Sequence, residues 1–83
     1  MKEIKDLKIE PNRVNYGICA TFKVGDDEYY ADICNVGTYY NECMIFAAVD
    51  GQVTNWGDLY CNRDVDVCEE DLINCINEFV DSL

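Results

Sequence analysis

With 83 residues, 49% of them hydrophobic and 12% aromatic, the chain has material for one small domain (1–83) and is too apolar to group with disordered chains. Its formal charge of −11 is laid out unevenly: residues 24–83 hold fourteen carboxylates and one cation, Arg63 (1 − 14 = −13), and residues 1–23 hold five cations and three acids (5 − 3 = +2). Such a field argues against nucleic acid or an anionic membrane as direct ligands and attracts basic partners.

Residues 1–13 read two ways. Ile4 and Leu7 suit an amino-terminal arm or short helix, and Leu7 with Ile9 ahead of Pro11 suits an edge strand. The run from Met1 to Lys8 is too charged for the apolar core of a signal peptide. No apolar stretch approaches the roughly 20 residues that span a bilayer. A cytoplasmic protein is therefore expected, in the host cytoplasm if a phage encodes it.

Tyr16 to Val24 alternates as a strand, with Tyr16, Ile18, Ala20, Phe22 and Val24 on one face. After a turn at Gly25–Glu28, alternation resumes from Tyr29 to Val36. Taking Asp26 and Asp27 as the loop pair sets Val24 opposite Tyr29, Phe22 opposite Ala31, Ala20 opposite Ile33 and Cys19 opposite Cys34. That register permits a cross-strand disulfide, which a reducing cytosol disfavours.

Gly37–Asn41 reads as a loop, and Cys43–Val49 as a third strand, apolar on both faces and so interior to the sheet. Asp50-Gly51 is the strongest hairpin signal, suited to a type I′ turn. A fourth strand follows from Gln52 to Trp56, kinked at Gly57 and continuing through Leu59-Tyr60-Cys61. At the carboxyl end Cys68, Leu72, Cys75, Ile76, Phe79 and Leu83 form one helical stripe, with Asp66 and Glu69 as a capping box. The fold class is α+β: a four-stranded antiparallel meander with one C-terminal helix packed on one face.

Catalytic chemistry finds few actors. The chain has no His, its only Ser is Ser82, and a Cys nucleophile would lack an imidazole. A non-enzyme without cofactor is expected. The six cysteines include no CxxC pair, which argues against a zinc site and for structural thiols. Asn62 to Asp71 resembles a calcium loop only superficially, because Val67 stands where Gly is needed and Ile73 where the bidentate Glu belongs.

What remains is acids and aromatics. The candidate partner-binding residues are Asp26, Asp27 and Glu28 at the first hairpin tip, and Tyr30 and Asp32 on the outer face of that hairpin. Tyr39 and Tyr40 follow in a polar loop, and Asp64, Asp66, Glu69, Glu70 and Asp71 around the helix start. Rigid aromatic anchors among steering charges are what protein-binding surfaces use. In size, acidity and lack of catalytic groups the chain resembles phage-encoded anti-CRISPR and anti-restriction DNA mimics, and equally nuclease-immunity proteins. The resemblance implies a small inhibitor of a basic nuclease or other nucleic-acid-binding protein, with carboxylates standing in for phosphates. The alternative is a non-catalytic structural or regulatory module, such as a homodimer through a sheet edge.

Overall fold

The computed structural model describes residues 2–12, 17–37 and 39–83. Six strands and one helix follow in chain order: β1 (Ile4–Asn12), β2 (Gly17–Val24), β3 (Asp27–Val36), β4 (Tyr40–Val49), β5 (Gln52–Val53), β6 (Tyr60–Asn62) and α1 (Glu69–Asp81). The strands form one antiparallel sheet in the order β1-β2-β3-β4-β5, with β6 also paired to β4. The α+β class holds, and the strand count is six rather than four.

Two causes account for the difference. The amino-terminal segment pairs with β2, so its edge-strand reading applies: Ile4 and Ile9 pack against the core while Lys2, Lys5 and Lys8 are exposed. The fourth strand breaks in two, because Thr54 N–H donates to the Ala47 carbonyl and Leu59 N–H to the Ile45 carbonyl, and the residues between stand off the β4 edge. Tyr16, the predicted start of the first long strand, lies outside the described residues.

The register of the first hairpin is also corrected. Phe22 lies opposite Tyr29, Ala20 opposite Ala31 and Ile18 opposite Ile33, with Val24 paired to Asp27. The loop is therefore Gly25-Asp26, and Gly25 takes φ +61 at its first position, the type II′ arrangement that only glycine enters easily. A two-residue slip keeps every side chain on its own face, so the apolar pattern alone does not distinguish the two registers. Cys19 now faces Asp32, and Cys34 faces Glu42. The two thiols are diagonal neighbours, a relation of about 7–8 Å that lies beyond disulfide reach. All six cysteines are free.

One face of the sheet carries the core. Phe22, Tyr29, Ala31, Ile33, Cys43 and Ile45 meet Leu72, Cys75, Ile76, Phe79 and Val80 of α1. Rings of Phe22, Tyr29 and Phe79 pack with centroids 5.1–6.4 Å apart. Burial pushes the Cys43 thiol, which meets Cys75, well above its ordinary pKa. The helix cap differs from the expected box: Cys68 is the N-cap residue, its Sγ accepting from Asp71 N–H at 3.5 Å, and Asp71 Oδ2 reaches back to Asp66 N–H at 2.6 Å. Leu83, the last residue of the predicted stripe, is exposed, and Val80 is buried instead. The helix starts beside Pro11 and Gly17 and ends beside Val24 and Gly25, running along β2. It leaves the other face of the sheet uncovered. No helix of the described residues is long and apolar enough to cross a membrane.

Candidate functional site

Sheet topology decides which acids meet. The β2–β3 and β4–β5 turns fall at the same end of the sheet, so Asp26 and Asp27 share a shallow groove with Glu28, Asp50 and Lys23. Asp50 and Gly51 both have positive φ, +53 and +78, the type I′ turn expected of that pair. Glu28 closes it: Oε1 accepts from Asp50 N–H at 3.1 Å and Oε2 from Gly51 N–H at 2.6 Å. Glu28 is thus committed to the fold, and Asp26, Asp27 and Asp50 are exposed at this end, where Lys2, Lys5 and Lys23 line grooves beside them.

The second group lies at the opposite end. Asp64, Asp66 and Asp71 line a groove with Tyr40 and Arg63, and Glu69 and Glu70 are exposed on the first turn of α1. Asn62 Oδ1 shapes the loop by accepting from Asp64 N–H at 2.9 Å. Tyr39 is 88% exposed. Tyr40 is half-buried, and the Arg63 guanidinium sits 4.9 Å above its ring while Nε donates to Glu42 Oε2 at 2.9 Å. This is the one ion pair among the described residues. The only cation of residues 24–83 is therefore already engaged, and among the described residues no other carboxylate of that stretch is ion-paired. Ten residues of β3 separate the two ends, about 30 Å at roughly 3.3 Å per residue.

Tyr30 and Asp32 lie between the ends, on the uncovered face. Tyr30 is half-buried and stacks on Phe46 with centroids 6.4 Å apart, so it is a packed ring rather than a freely exposed one. Burial pushes its phenol well above the ordinary range. Asp32 is only 9% exposed, between Cys19 of β2 and Met44 of β4. Burial is the main reason its carboxyl rises from 3.8 to about 6; the Tyr30 hydroxyl opposes the rise and Glu42 adds to it.

The twelve predicted residues are thus divided among two acidic ends and the outer sheet face. Sequence reasoning missed a thirteenth. Trp56 stands 71% exposed at the tip of the 54–59 loop, its ring edge-on to Phe46 at 5.1 Å. Asn55 Oδ1 accepts from Gly57 N–H at 2.8 Å, a local turn that holds Trp56 outward. The signal was present in Asn55-Trp56-Gly57-Asp58, where turn-forming and polar residues on both sides leave the indole no strand to lie in. Among the described residues, no three His, Cys, Asp or Glu side chains gather at metal-binding spacing. Compared with known proteins, the chain matches no family model, no curated protein and no solved structure.

Proposed function

We propose that this protein is a small non-catalytic inhibitor that binds a basic, nucleic-acid-handling protein such as a nuclease, with its carboxylates in place of phosphates. The observation that carries the reading is the missing counterion. Residues 24–83 carry fourteen carboxylates and a single cation, which Glu42 and Tyr40 already hold. Lys2, Lys5 and Lys23 line grooves at the hairpin end, so the deficit is greatest around Asp64, Asp66, Glu69 and Glu70. Uncompensated charge of this kind raises encounter rates with a basic surface and disfavours acidic ones. The spacing is also apt: acidic ends about 30 Å apart along β3 span close to one turn of duplex, about 34 Å.

A homodimer joined through a sheet edge has β1 as its candidate edge. That strand is interrupted by a bulge between Lys5 and Lys8 and carries Pro11, both of which shorten the length able to pair. The inhibitor reading is therefore preferred.

Affinity capture from cell lysate tests it. One bait is wild type, and the other has Asp26, Asp27, Asp64, Asp66, Glu69 and Glu70 changed to Asn or Gln, leaving Glu28 and Asp71 to their structural hydrogen bonds. The wild-type bait alone should retain a basic nucleic-acid-binding protein. Added duplex DNA should compete, and affinity should fall about tenfold or more between about 0.05 and 0.2 M salt. Equal capture by both baits, or indifference to DNA, would defeat the proposal.

A further inference from the structure

The helix covers one face of the sheet, and the other face carries features that folding does not require. Adjacent strands build two rows across it. One runs Glu10, Cys19, Asp32, Met44, Cys61, and the next runs Lys8, Thr21, Tyr30, Phe46. Trp56 extends the second row through its contact with Phe46. Phe46 is buried on this face, and Tyr30 and Trp56 pack on it, making an aromatic ridge outside the main core.

Beside the ridge sits Asp32. It is more than nine-tenths buried, yet among the described residues no cation pairs with it. A carboxylate in that setting opposes folding, because charge is withdrawn from water without an ion pair. An apolar residue there would pack between Cys19 and Met44 without that penalty. The adjacent acids, Glu42 on β4 and Glu10 on β1, add negative potential rather than relieve it.

We propose that this uncovered face docks an arginine-bearing segment of the basic partner, its guanidinium paired with Asp32 and its neighbouring side chains seated on the Tyr30–Phe46–Trp56 ridge. This rests on the inhibitor reading above and assigns it a surface. Charge complementarity selects the occupant. A guanidinium is planar and weakly hydrated, so it tolerates a half-dry site and can bond both carboxylate oxygens, whereas an ammonium holds its water tightly. The exposed indole is the residue type most often found carrying interface energy.

Protonation adds a second handle. Groups on the face around Asp32 are Tyr30 and Cys34 of its own strand, Cys19 of β2, Met44 and Glu42 of β4, Cys61 of β6 at one end of its row, and, from β1, Glu10 at the other end and Lys8 at the end of the next. Arg63, after β6, is held by Glu42. None supplies a paired cation, so an incoming guanidinium would favour the charged carboxylate and be lost as Asp32 takes up its proton.

Titration of the full chain with acetylated, amidated hexa-arginine, followed by backbone NMR and Trp fluorescence, tests the assignment. The peptide should perturb Tyr30, Asp32, Met44, Phe46 and the Trp56 indole. Asp32→Asn should weaken binding about tenfold or more, and Trp56→Ala should weaken it independently. Wild-type affinity should fall as pH drops from about 7 to about 5, across the carboxyl's range, with Asp32→Asn showing a flatter response. The amide spectrum of each variant reports whether it is folded. Perturbation confined to Asp26, Asp27, Glu69, Glu70 and Asp71, with Asp32→Asn binding like wild type, would overturn this surface while leaving the charge-steered inhibitor standing. Hexa-lysine binding as tightly at the same residues would overturn the guanidinium assignment. Self-association through this face would identify a second copy as its occupant and overturn the proposal as well.

Discussion

Asp32 shows how one side chain can work against the fold that holds it. Its carboxyl ionises near 3.8 in an open chain and near 6 in the native protein. Below about pH 4 both states are protonated, and burial of the neutral acid exacts no charge penalty. Between about 4 and 6 the native state keeps a proton that the unfolded state has released, so the Asp32 contribution to stability declines as pH rises. Above about pH 6 the penalty is complete, about 1–3 kcal/mol for a shift of roughly two units in a partly solvated site. Asp32→Asn keeps the shape and removes the charge. Urea denaturation should therefore find this variant about 1–3 kcal/mol more stable than wild type at pH 7 and near parity at pH 4. An equal gain at both values would mean that packing, and not charge burial, separates the two proteins.

Among the elements, the β4–β5 turn depends on a side chain from another strand. Glu28 accepts from two consecutive backbone N–H groups of that turn, at 3.1 and 2.6 Å, which ties the end of β3 to the end of β4. Glu28→Ala should destabilise the protein by about 1.5–3 kcal/mol, the usual worth of a hydrogen bond to a charged group. Asp27→Ala removes an equal charge from an exposed residue of the same hairpin and should be neutral or slightly stabilising. Paired denaturant melts of the two variants would expose the error if both moved the midpoint the same way. The Asp50-Gly51 turn itself was readable in the sequence, because only a pair tolerating positive φ at both positions fits a type I′ hairpin. The core faces were equally legible: alternation places Phe22, Tyr29, Ala31 and Ile33 inward, and the 3.6-residue period places Leu72, Cys75, Ile76 and Phe79 on the facing stripe. Register was not, since a slip of two residues between β2 and β3 buries the same side chains, and the decision lay in which residue of the turn takes φ +61. Of the candidate site, the charged ends could be read from composition and turn positions. The burial of Asp32 could not, because it depends on β2 and β4 flanking β3, a contact between segments that no local pattern encodes, whereas the outward turn of Trp56 is written in its Asn55 and Gly57 neighbours.

For the molecule as a whole, a charge of −11 in a body of 11.8 Å radius of gyration is a stored repulsion. Many proteins of ordinary composition offset such repulsion with surface ion pairs, and added salt then screens attraction and repulsion together. Here the described residues contain one ion pair, Arg63–Glu42, with the arginine side chain 65% exposed, so salt has little attraction to weaken. Screening should act mainly on the repulsion among Asp64, Asp66, Glu69 and Glu70, whereas at the other end Lys2, Lys5 and Lys23 lie near Asp26 and Asp27 and salt weakens attraction and repulsion together. The thermal midpoint should accordingly rise as sodium chloride goes from about 0.02 to about 0.5 M, where the screening length drops to a few ångströms. Neutralising Glu69 and Glu70 should shrink that rise, although it also removes acids from the positive end of the helix dipole, worth about 0.3–1 kcal/mol each at low ionic strength. The two effects separate in a salt series: the dipole loss lowers the midpoint most in dilute buffer, and the relief of repulsion flattens its slope. A midpoint that falls with salt would mean that attraction dominates the surface, and the counterion deficit behind the proposed function would then be absent.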